Sequence, residues 1–454
     1  MPRFHATISR RDFMKGLGLT GATLGAAGLV APQFHDLDEV MAASTTEWKK
    51  PWWVKDRDFE NPTMEIDWDV LTRFDRSGKF GAGKSAEWDN GVQEMYAMVD
   101  GMYGTRDTAE LNKKWAQEKV AGMTLRDQGL KNATASINNG ARSGYTGLGP
   151  DDLGVAKWQG TPEENLHMMR VASRFFGSIS QGVWELNSKT ERAMWAELNL
   201  PTDTRNAFVL AVRHPQLAMR TAPGMVTNPY GYILSTNAMA QTQQFVKNMG
   251  YKVNNLSCGA GVNTLLSGIG EISRTGINCI MPQHGNVLRR SDSFLTDFDL
   301  APTPPIDAGI SRFCKTCKKC ADTCVPQAIS FADEPSWEVG QPYLVTGIKH
   351  YDFLYPKCNT YKSNWAPGYC GVCLANCPFT SILNDGGMIH TVIKSVSSTT
   401  PLFNGFFRNM DDFMGYGQNR GGVDAHSRDN YVDQFWGTVG PEFGFLTHTG
   451  YYPH

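Results

Sequence analysis

The residues best suited to chemistry crowd into one stretch. Eight of the ten cysteines lie in Cys314-Lys-Thr-Cys317-Lys-Lys-Cys320-Ala-Asp-Thr-Cys324, at Cys358, and in Cys370-Gly-Val-Cys373-Leu-Ala-Asn-Cys377-Pro378. Thiolates two residues apart on a turn hold neighbouring irons of one cubane, while a cysteine three residues further on points towards a second cluster. The spacing therefore reads as two [4Fe–4S] clusters that exchange their fourth ligands. Cys314, Cys317, Cys320 and Cys377 are assigned to one cluster, and Cys324, Cys358, Cys370 and Cys373 to the other. Two structural zinc ions are the competing reading, but zinc sites rarely need a run of four cysteines at this spacing. Disulfides fit less well still, because a long chain with a large core has little need of dense staples. Cys358 departs from the standard repeat, which would place a cysteine three residues before Cys370.

Such centres need a scaffold, and 454 residues at 41% hydrophobic content can bury one large domain with a smaller inserted one. A formal net charge of −2 gives no broad basic field, so composition does not favour a nucleic-acid partner. Twelve tryptophans supply core and could also line a closed apolar pocket.

At the start of the chain, Ser9-Arg10-Arg11-Asp12-Phe13-Met14-Lys15 is followed by a weakly apolar run from Gly16 to Ala31 and a small-residue exit at Met41-Ala42-Ala43-Ser44. That order predicts a removable twin-arginine signal peptide over residues 1–43. A membrane anchor is the rival reading, but the run is shorter than the ~20 residues that a spanning helix needs.

Residues 44–160 read as a polar, Trp-rich, irregular N-terminal wrapping unit, with a helical stretch from Lys114 to Arg126. Thr161-Pro162-Glu163-Glu164 is a capping box, predicting a helix with a stripe of Leu166, Met169, Ala172 and Phe176 that stops at Gly177. Gly182 to Leu186 and Ala207 to Val212 are strand candidates, and a helix beginning at Tyr232 carries Leu234, Ala238, Phe245 and Met249 before Gly250. The interleaving of strands and helices gives an α/β class. Glycines between Cys258 and Gly285 permit close approach of backbone to a bound group, although none forms GxGxxG after a strand. Cys279 reads as core and His284 as a hydrogen-bonded structural histidine. Pro302, Pro304 and Pro305 mark the boundary into the cysteine-rich part.

Taken together, these residues resemble the reductive dehalogenases. The carriers are the twin-arginine segment, Trp158-Gln-Gly-Thr-Pro-Glu-Glu-Asn165, the Tyr232 helix, Gly270-Glu-Ile-Ser-Arg274, the run from Arg289 to Asp297, Ala301-Pro-Thr-Pro-Pro-Ile-Asp-Ala-Gly309, both cysteine motifs, and Pro401-Leu-Phe-Asn-Gly-Phe-Phe407. The resemblance covers most of the chain outside residues 45–157, and is greatest to enzymes of obligate organohalide-respiring bacteria acting on chlorinated ethenes and related compounds. It implies a nitroreductase-like cobalamin-binding core at 161–300, a ferredoxin-like domain with two [4Fe–4S] clusters at 301–390, and a C-terminal segment at 391–454 packing on the core. It implies base-off cobalamin, in keeping with the lack of an Asp-x-His-x-x-Gly arrangement. By the same resemblance Tyr232 is the proton donor and Arg289 the cation beside it, with Arg290 next in line. A phenol, with an ordinary pKa near ~10, is a better-poised donor when a fixed positive charge stabilises its phenolate. Cys258 falls where related enzymes often place an asparagine. The implied partners are a small organohalide substrate, a small hydrophobic membrane-anchor protein and a membrane electron donor chain, at the outer face of the cytoplasmic membrane. A tRNA epoxyqueuosine reductase and an exported ferredoxin-type electron carrier are the alternative readings. The export signal and the absence of a basic footprint count against the first.

Overall fold

The segment Asn206–Arg213, Asn-Ala-Phe-Val-Leu-Ala-Val-Arg, is apolar on both faces, and a strand of that kind must be covered on both. The computed structural model describes residues 50–73, 75, 85–128, 149–153, 155–196, 199–214, 218–219, 221–226, 229–256, 260–276, 279–286, 288–338, 346–364, 370–380, 388–413 and 429–437. The expected twin-arginine signal lies outside them.

In chain order the scaffold comprises β1 (Lys55–Asp56), α1 (Ala86–Tyr103), α2 (Thr108–Gln117), α3 (Pro162–Phe175), β2 (Ser180–Glu185), β3 (Asn206–Arg213), α4 (Pro229–Asn248), β4 (Val253–Leu256) and α5 (Ala260–Leu266). The short hairpin β5 (Glu271–Ile272) and β6 (Cys279–Ile280), then β7 (Leu288–Thr296) and β8 (Ile306–Asp307), complete it. The main sheet has the order β2-β3-β7-β4, with every neighbouring pair antiparallel. Period-2 alternation sorts β3 between two cores. Phe208, Leu210 and Val212 meet Leu166 and Met169 of α3 and Leu234 and Ala238 of α4. Ala207, Val209 and Ala211 face Val262 and Leu266 of α5. The α/β reading holds, with helices on both faces of the sheet.

Local codes explain the helix ends. Thr161 Oγ1 accepts from Glu164 N at 3.3 Å while the Glu164 carboxylate accepts from Thr161 N at 2.9 Å, so the capping box forms as its residues dictate. Helix α3 buries Leu166, Met169 and Ser173, while Ala172 and Phe176, the residue just past its end at Phe175, are only half-buried. Helix α4 begins at Pro229, one turn's length earlier than expected, and Val246 is buried where Phe245 and Met249 are only half-buried.

The N-terminal stretch expected to be irregular contains an 18-residue helix, α1. Ser85 Oγ caps it by accepting from Trp88 N at 3.1 Å, and Trp88, Val92, Met95 and Val99 form its buried stripe. The expected helix from Lys114 to Arg126 is instead α2, capped by Asp107 and finished at Gln117.

Beyond the sheet come α6 (Ile310–Cys317), α7 (Lys319–Asp322), α8 (Tyr355–Asn364), α9 (Val372–Ala375), α10 (Met388–Thr399), α11 (Asn404–Phe413) and α12 (Asp429–Gly437). The expected boundary after residue 390 falls inside α10. Among the described residues no helix is long and apolar enough to cross a membrane.

Gly285, in the loop leading into β7, fixes how the sheet meets the cysteine-rich part. Its φ is +73°, and a Cβ there would stand 1.9 Å from the Phe379 carbonyl oxygen. Gly285→Ala is therefore expected to cost at least ~2 kcal/mol of stability, through left-handed strain and a backbone clash that no side-chain rotation relieves. Thermal unfolding checks this, and an unchanged melting temperature would contradict it.

Candidate active site and metal centres

The cysteines gather into two sets. Helix α6 carries Cys314 and Cys317, the chain reverses at Lys318 with φ +52°, and α7 supplies Cys320. Cys377 arrives from beyond α9, and all four border one cavity shared with Arg274, Asn286 and Phe379. Burial pushes the thiols of Cys314 and Cys317 up to about 11 and about 12. Cys377 is pushed up first by burial, then by Cys314 and Cys317.

The second set is Cys324, Cys358 on α8, Cys370 and Cys373. Burial pushes Cys373 well up, followed in effect by Cys370, Cys358, Cys324 and Cys377. Cys358 and Cys370 are each raised to about 12 by burial. Thiols in such surroundings stay neutral unless a cation claims them, whereupon a coordinating thiol is deprotonated outright. The two sets adjoin, since Cys320 and Cys373 lie close enough to interact. Cys377 thus belongs by place to the first motif's set and Cys324 to the second's. Among the described residues no three His, Cys, Asp or Glu side chains close up around a single ion.

Cys358 is placed by the N-terminal unit. Helix α1 lies on α8 so closely that a Cβ at Gly91 would come within 2.8 Å of the Pro356 Cβ. Trp88 and Tyr355 meet at 6.0 Å between ring centroids, and Glu94 pairs with Lys357. This long-range brace is why a cysteine outside the repeat spacing still reaches its set.

Sequence reasoning missed a polar support on the other side. Lys319, between Cys317 and Cys320, is buried and paired with Asp411 and, at 2.9 Å, with Asp412. Arg408 donates to Cys317 O at 3.2 Å and pairs with Asp322 at 2.8 Å. Arg408, Asp411 and Asp412 all come from α11, directly after the Pro401–Phe407 run that the sequence singled out. A lysine set among closely spaced cysteines was the available signal.

The topology places the remaining candidates at one end of the sheet. Strand β3 finishes with Arg213 opposite Leu288 at the start of β7, and α4 then returns the chain so that β4 starts opposite Thr296 at the end of β7. At ~1.5 Å per helical residue and ~3.3 Å per strand residue, α4 and β7 are both about 30 Å long. The first turn of α4, which holds the half-buried Tyr232, therefore lies at the end where β7 begins. The backbone of Arg289 is there too, opposite Val212. It follows Asn286, which borders the cavity, by three residues, a reach of at most ~11 Å. The side chains of Arg289 and Arg290, and Cys258 altogether, lie outside the described residues.

The glycine-rich segments turn inward rather than towards a ligand. A Cβ at Gly268 would stand 2.0 Å from Pro304 O, and one at Gly270 2.5 Å from Ile280 O, so close protein backbone already occupies those approaches. Cys279 is buried core, as read from sequence.

No family model matches the chain. The chloroethene reductive dehalogenase of Dehalococcoides mccartyi strain VS is 30% identical over 98% of this chain and 99% of its own length. The chain belongs to the reductive dehalogenases. These enzymes are oxidoreductases. The trichloroethene reductive dehalogenase of Dehalococcoides mccartyi strain 195 is 29% identical over 97% of the chain. Over 49% of the chain, the tetrachloroethene reductive dehalogenase of Sulfurospirillum multivorans is 32% identical. Solved structures agree in fold: the catabolic reductive dehalogenase NpRdhA superposes with a TM-score of 0.56 at 18% identity over 80% of this chain. A reductive dehalogenase described as carrying out B12-dependent dehalogenation superposes with a TM-score of 0.58 over the same share. This dehalogenase spans about half the length of those solved chains, 49% and 50%.

Proposed function

We propose that this reductive dehalogenase replaces halogen by hydrogen on a chlorinated ethene or related organohalide, using base-off cobalamin fed by two [4Fe–4S] clusters. The observation that carries the reading is the pair of adjoining four-thiol sets, one of which borders the loop leading into β7.

The donor chemistry fits. Four thiols bordering one shared cavity suit a cubane, whose ligands stand further apart than those of one zinc ion. Cys314, Cys317, Cys320 and Cys377 would hold one cluster, and Cys324, Cys358, Cys370 and Cys373 the other; the clusters supply one-electron transfer. At the sheet end the buried polar groups Arg213, His214 and Thr221 suit a cofactor rimmed with amides. Asn286 Oδ1 is a buried acceptor that meets no donor among the described residues, and an amide N–H would satisfy it. Cobalamin, when bound, supplies the low-valent cobalt that breaks the carbon–halogen bond. The nitroreductase-like assignment of residues 161–300 and the ferredoxin-like assignment of 301–390 belong to the same proposal.

The balance of the reaction requires two electrons and one proton for each halide released. Tyr232 donates the proton to carbon, the phenolate is held by the Arg289 charge, and solvent restores its O–H. The twin-arginine segment exports the folded, loaded protein to the outer face of the cytoplasmic membrane. There a small hydrophobic anchor protein and a membrane donor chain complete the system. The similarity to the chloroethene and trichloroethene enzymes supports the substrate class.

Anaerobic reconstitution with iron, sulfide and cobalamin, followed by halide release from chlorinated ethenes and aromatics under strong reductant, tests the proposal. Chloride release that needs all three components is expected. Fully metallated protein that never retains a corrinoid would overturn it and favour an electron carrier.

A further inference from the structure

The motif Gly270-Glu-Ile-Ser-Arg274 has no task in the reaction above, yet it holds both ends of the helix that carries Cys314 and Cys317. Glu271, fully buried, receives the N–H groups of Ala308 at 2.6 Å and Ser311 at 3.0 Å, ahead of and within the first turn of α6. It also accepts from Ser311 Oγ at 3.0 Å and Thr63 Oγ1 at 3.1 Å. Three residues later, Arg274 reaches the other end of that helix. Its Nε and Nη2 donate to Cys314 O at 3.0 and 2.8 Å, and Nη2 donates to Lys315 O at 3.2 Å. Nη1 donates to Ser330 O at 2.9 Å and Ala332 O at 2.6 Å, and the guanidinium lies 4.0 Å from the Tyr351 ring centroid. An acid at the N-terminus and a base at the C-terminus is the arrangement that a helix dipole favours.

The two charges differ in what becomes of them. Burial raises the Glu271 carboxyl above the usual carboxylate range, and such a group can take up a proton. A guanidinium cannot lose one. Arg274 is only 1% exposed, and among the described residues none of its hydrogen-bond partners is a carboxylate. The carboxylate that does feel its charge, Asp333, is exposed and paired with Lys318 at 2.6 Å, so the buried cation still lacks a buried counter-charge, which is costly. The cavity it borders is the one lined by Cys314, Cys317, Cys320 and Cys377.

We infer that Arg274 is the fixed counter-charge of the cluster bound there and raises that cluster's reduction potential relative to its partner. A cubane with four thiolate ligands is anionic, and reduction adds one more negative charge. A fixed cation at its edge therefore favours the reduced form. The inference rests on the cluster reading proposed above, and makes Arg274 a positioning residue rather than a catalytic one.

Two variants of the reconstituted full chain decide it: Arg274→Gln removes the charge, and Arg274→Lys keeps it while losing the planar fork. Iron and sulfide content are measured first, then each cluster's reduction by redox titration followed by electron paramagnetic resonance. Wild-type protein without two clusters' worth of iron would end the underlying reading and leave no bearing on charge. With both clusters present, Arg274→Gln is expected to shift the reduction equilibrium of one cluster about tenfold towards the oxidised form, roughly 59 mV for one electron. Arg274→Lys should move it less than half as far, and the other cluster should stay where it was. Should the Gln variant fail to hold iron, a Lys variant with wild-type iron and potential supports the inference. Equal shifts in both variants, loss of the cluster from both, or no shift at full iron loading would overturn it.

Discussion

Tyr232→Phe is expected to lower halide release by about 10²–10⁴-fold, the span that a positioned general acid supplies. Iron and corrinoid content should stay at wild-type levels. The expectation follows from how little the substitution changes. The ring and its place in the first turn of α4 are kept, and that helix is anchored by Leu234, Ala238 and Val246 against Phe208, Leu210 and Val212. Only the O–H is lost. Electrons would still arrive and halide could still leave, but the carbon would wait for a proton from solvent. The measurement is chloride release under strong reductant, paired with metal and corrinoid analysis on the same preparation. Activity at the wild-type rate would remove Tyr232 from the mechanism. Loss of corrinoid would instead make the hydroxyl a binding group. Arg289→Met tests the companion role and should show a smaller fall, because the cation assists the phenolate without transferring the proton.

How much of this could be read from the chain depended on the range over which each signal acts. The α3 capping box and the doubly buried β3 were legible because each is encoded within a few neighbouring residues. The closeness of Cys314, Cys317 and Cys320 was legible for the same reason, since their spacing places them on adjoining turns. Helix α1 was locally encoded too, by Ser85 and the buried spacing of Trp88, Val92, Met95 and Val99. Its glycines, and the scatter of tryptophans around it, drew the reading towards irregular structure. Its role could not have been read, because the brace on Cys358 runs through Pro356 and Tyr355, more than two hundred residues away. The glycines from Gly268 to Gly285 show the opposite failure: their density was plain, but only the fold reveals that Pro304, Ile280 and Phe379 fill the space beside them. Arg274 was quoted as part of a motif, yet its carbonyl partners lie at Cys314, Lys315, Ser330 and Ala332, a set no local pattern predicts.

Cys377→Ser carries the second large effect, and it tests the exchange between the motifs. Cys377 stands two residues beyond α9, the helix that holds Cys373, but its thiol lines the same cavity as Cys314 and Cys317 and lies close enough to interact with them. The serine variant is therefore expected to lose or convert the cluster of the first motif while the cluster of Cys324, Cys358, Cys370 and Cys373 keeps its signal. Up to about half the iron should go, and halide release should fall at least ~10²-fold, because one break in a serial electron path stops the whole of it. Cys324→Ser should do the reverse. Paramagnetic resonance of the two reduced variants separates these outcomes, and the idea is sunk if Cys377→Ser alters only the other cluster. The crossing, as proposed, has a physical consequence beyond ligation: each cluster would be tied to the strand of chain that holds its neighbour, so Cys320 and Cys373 could not drift apart without straining both sets. Electron transfer falls steeply with distance, and a joint of this kind would keep the gap short in every conformation that retains the metal.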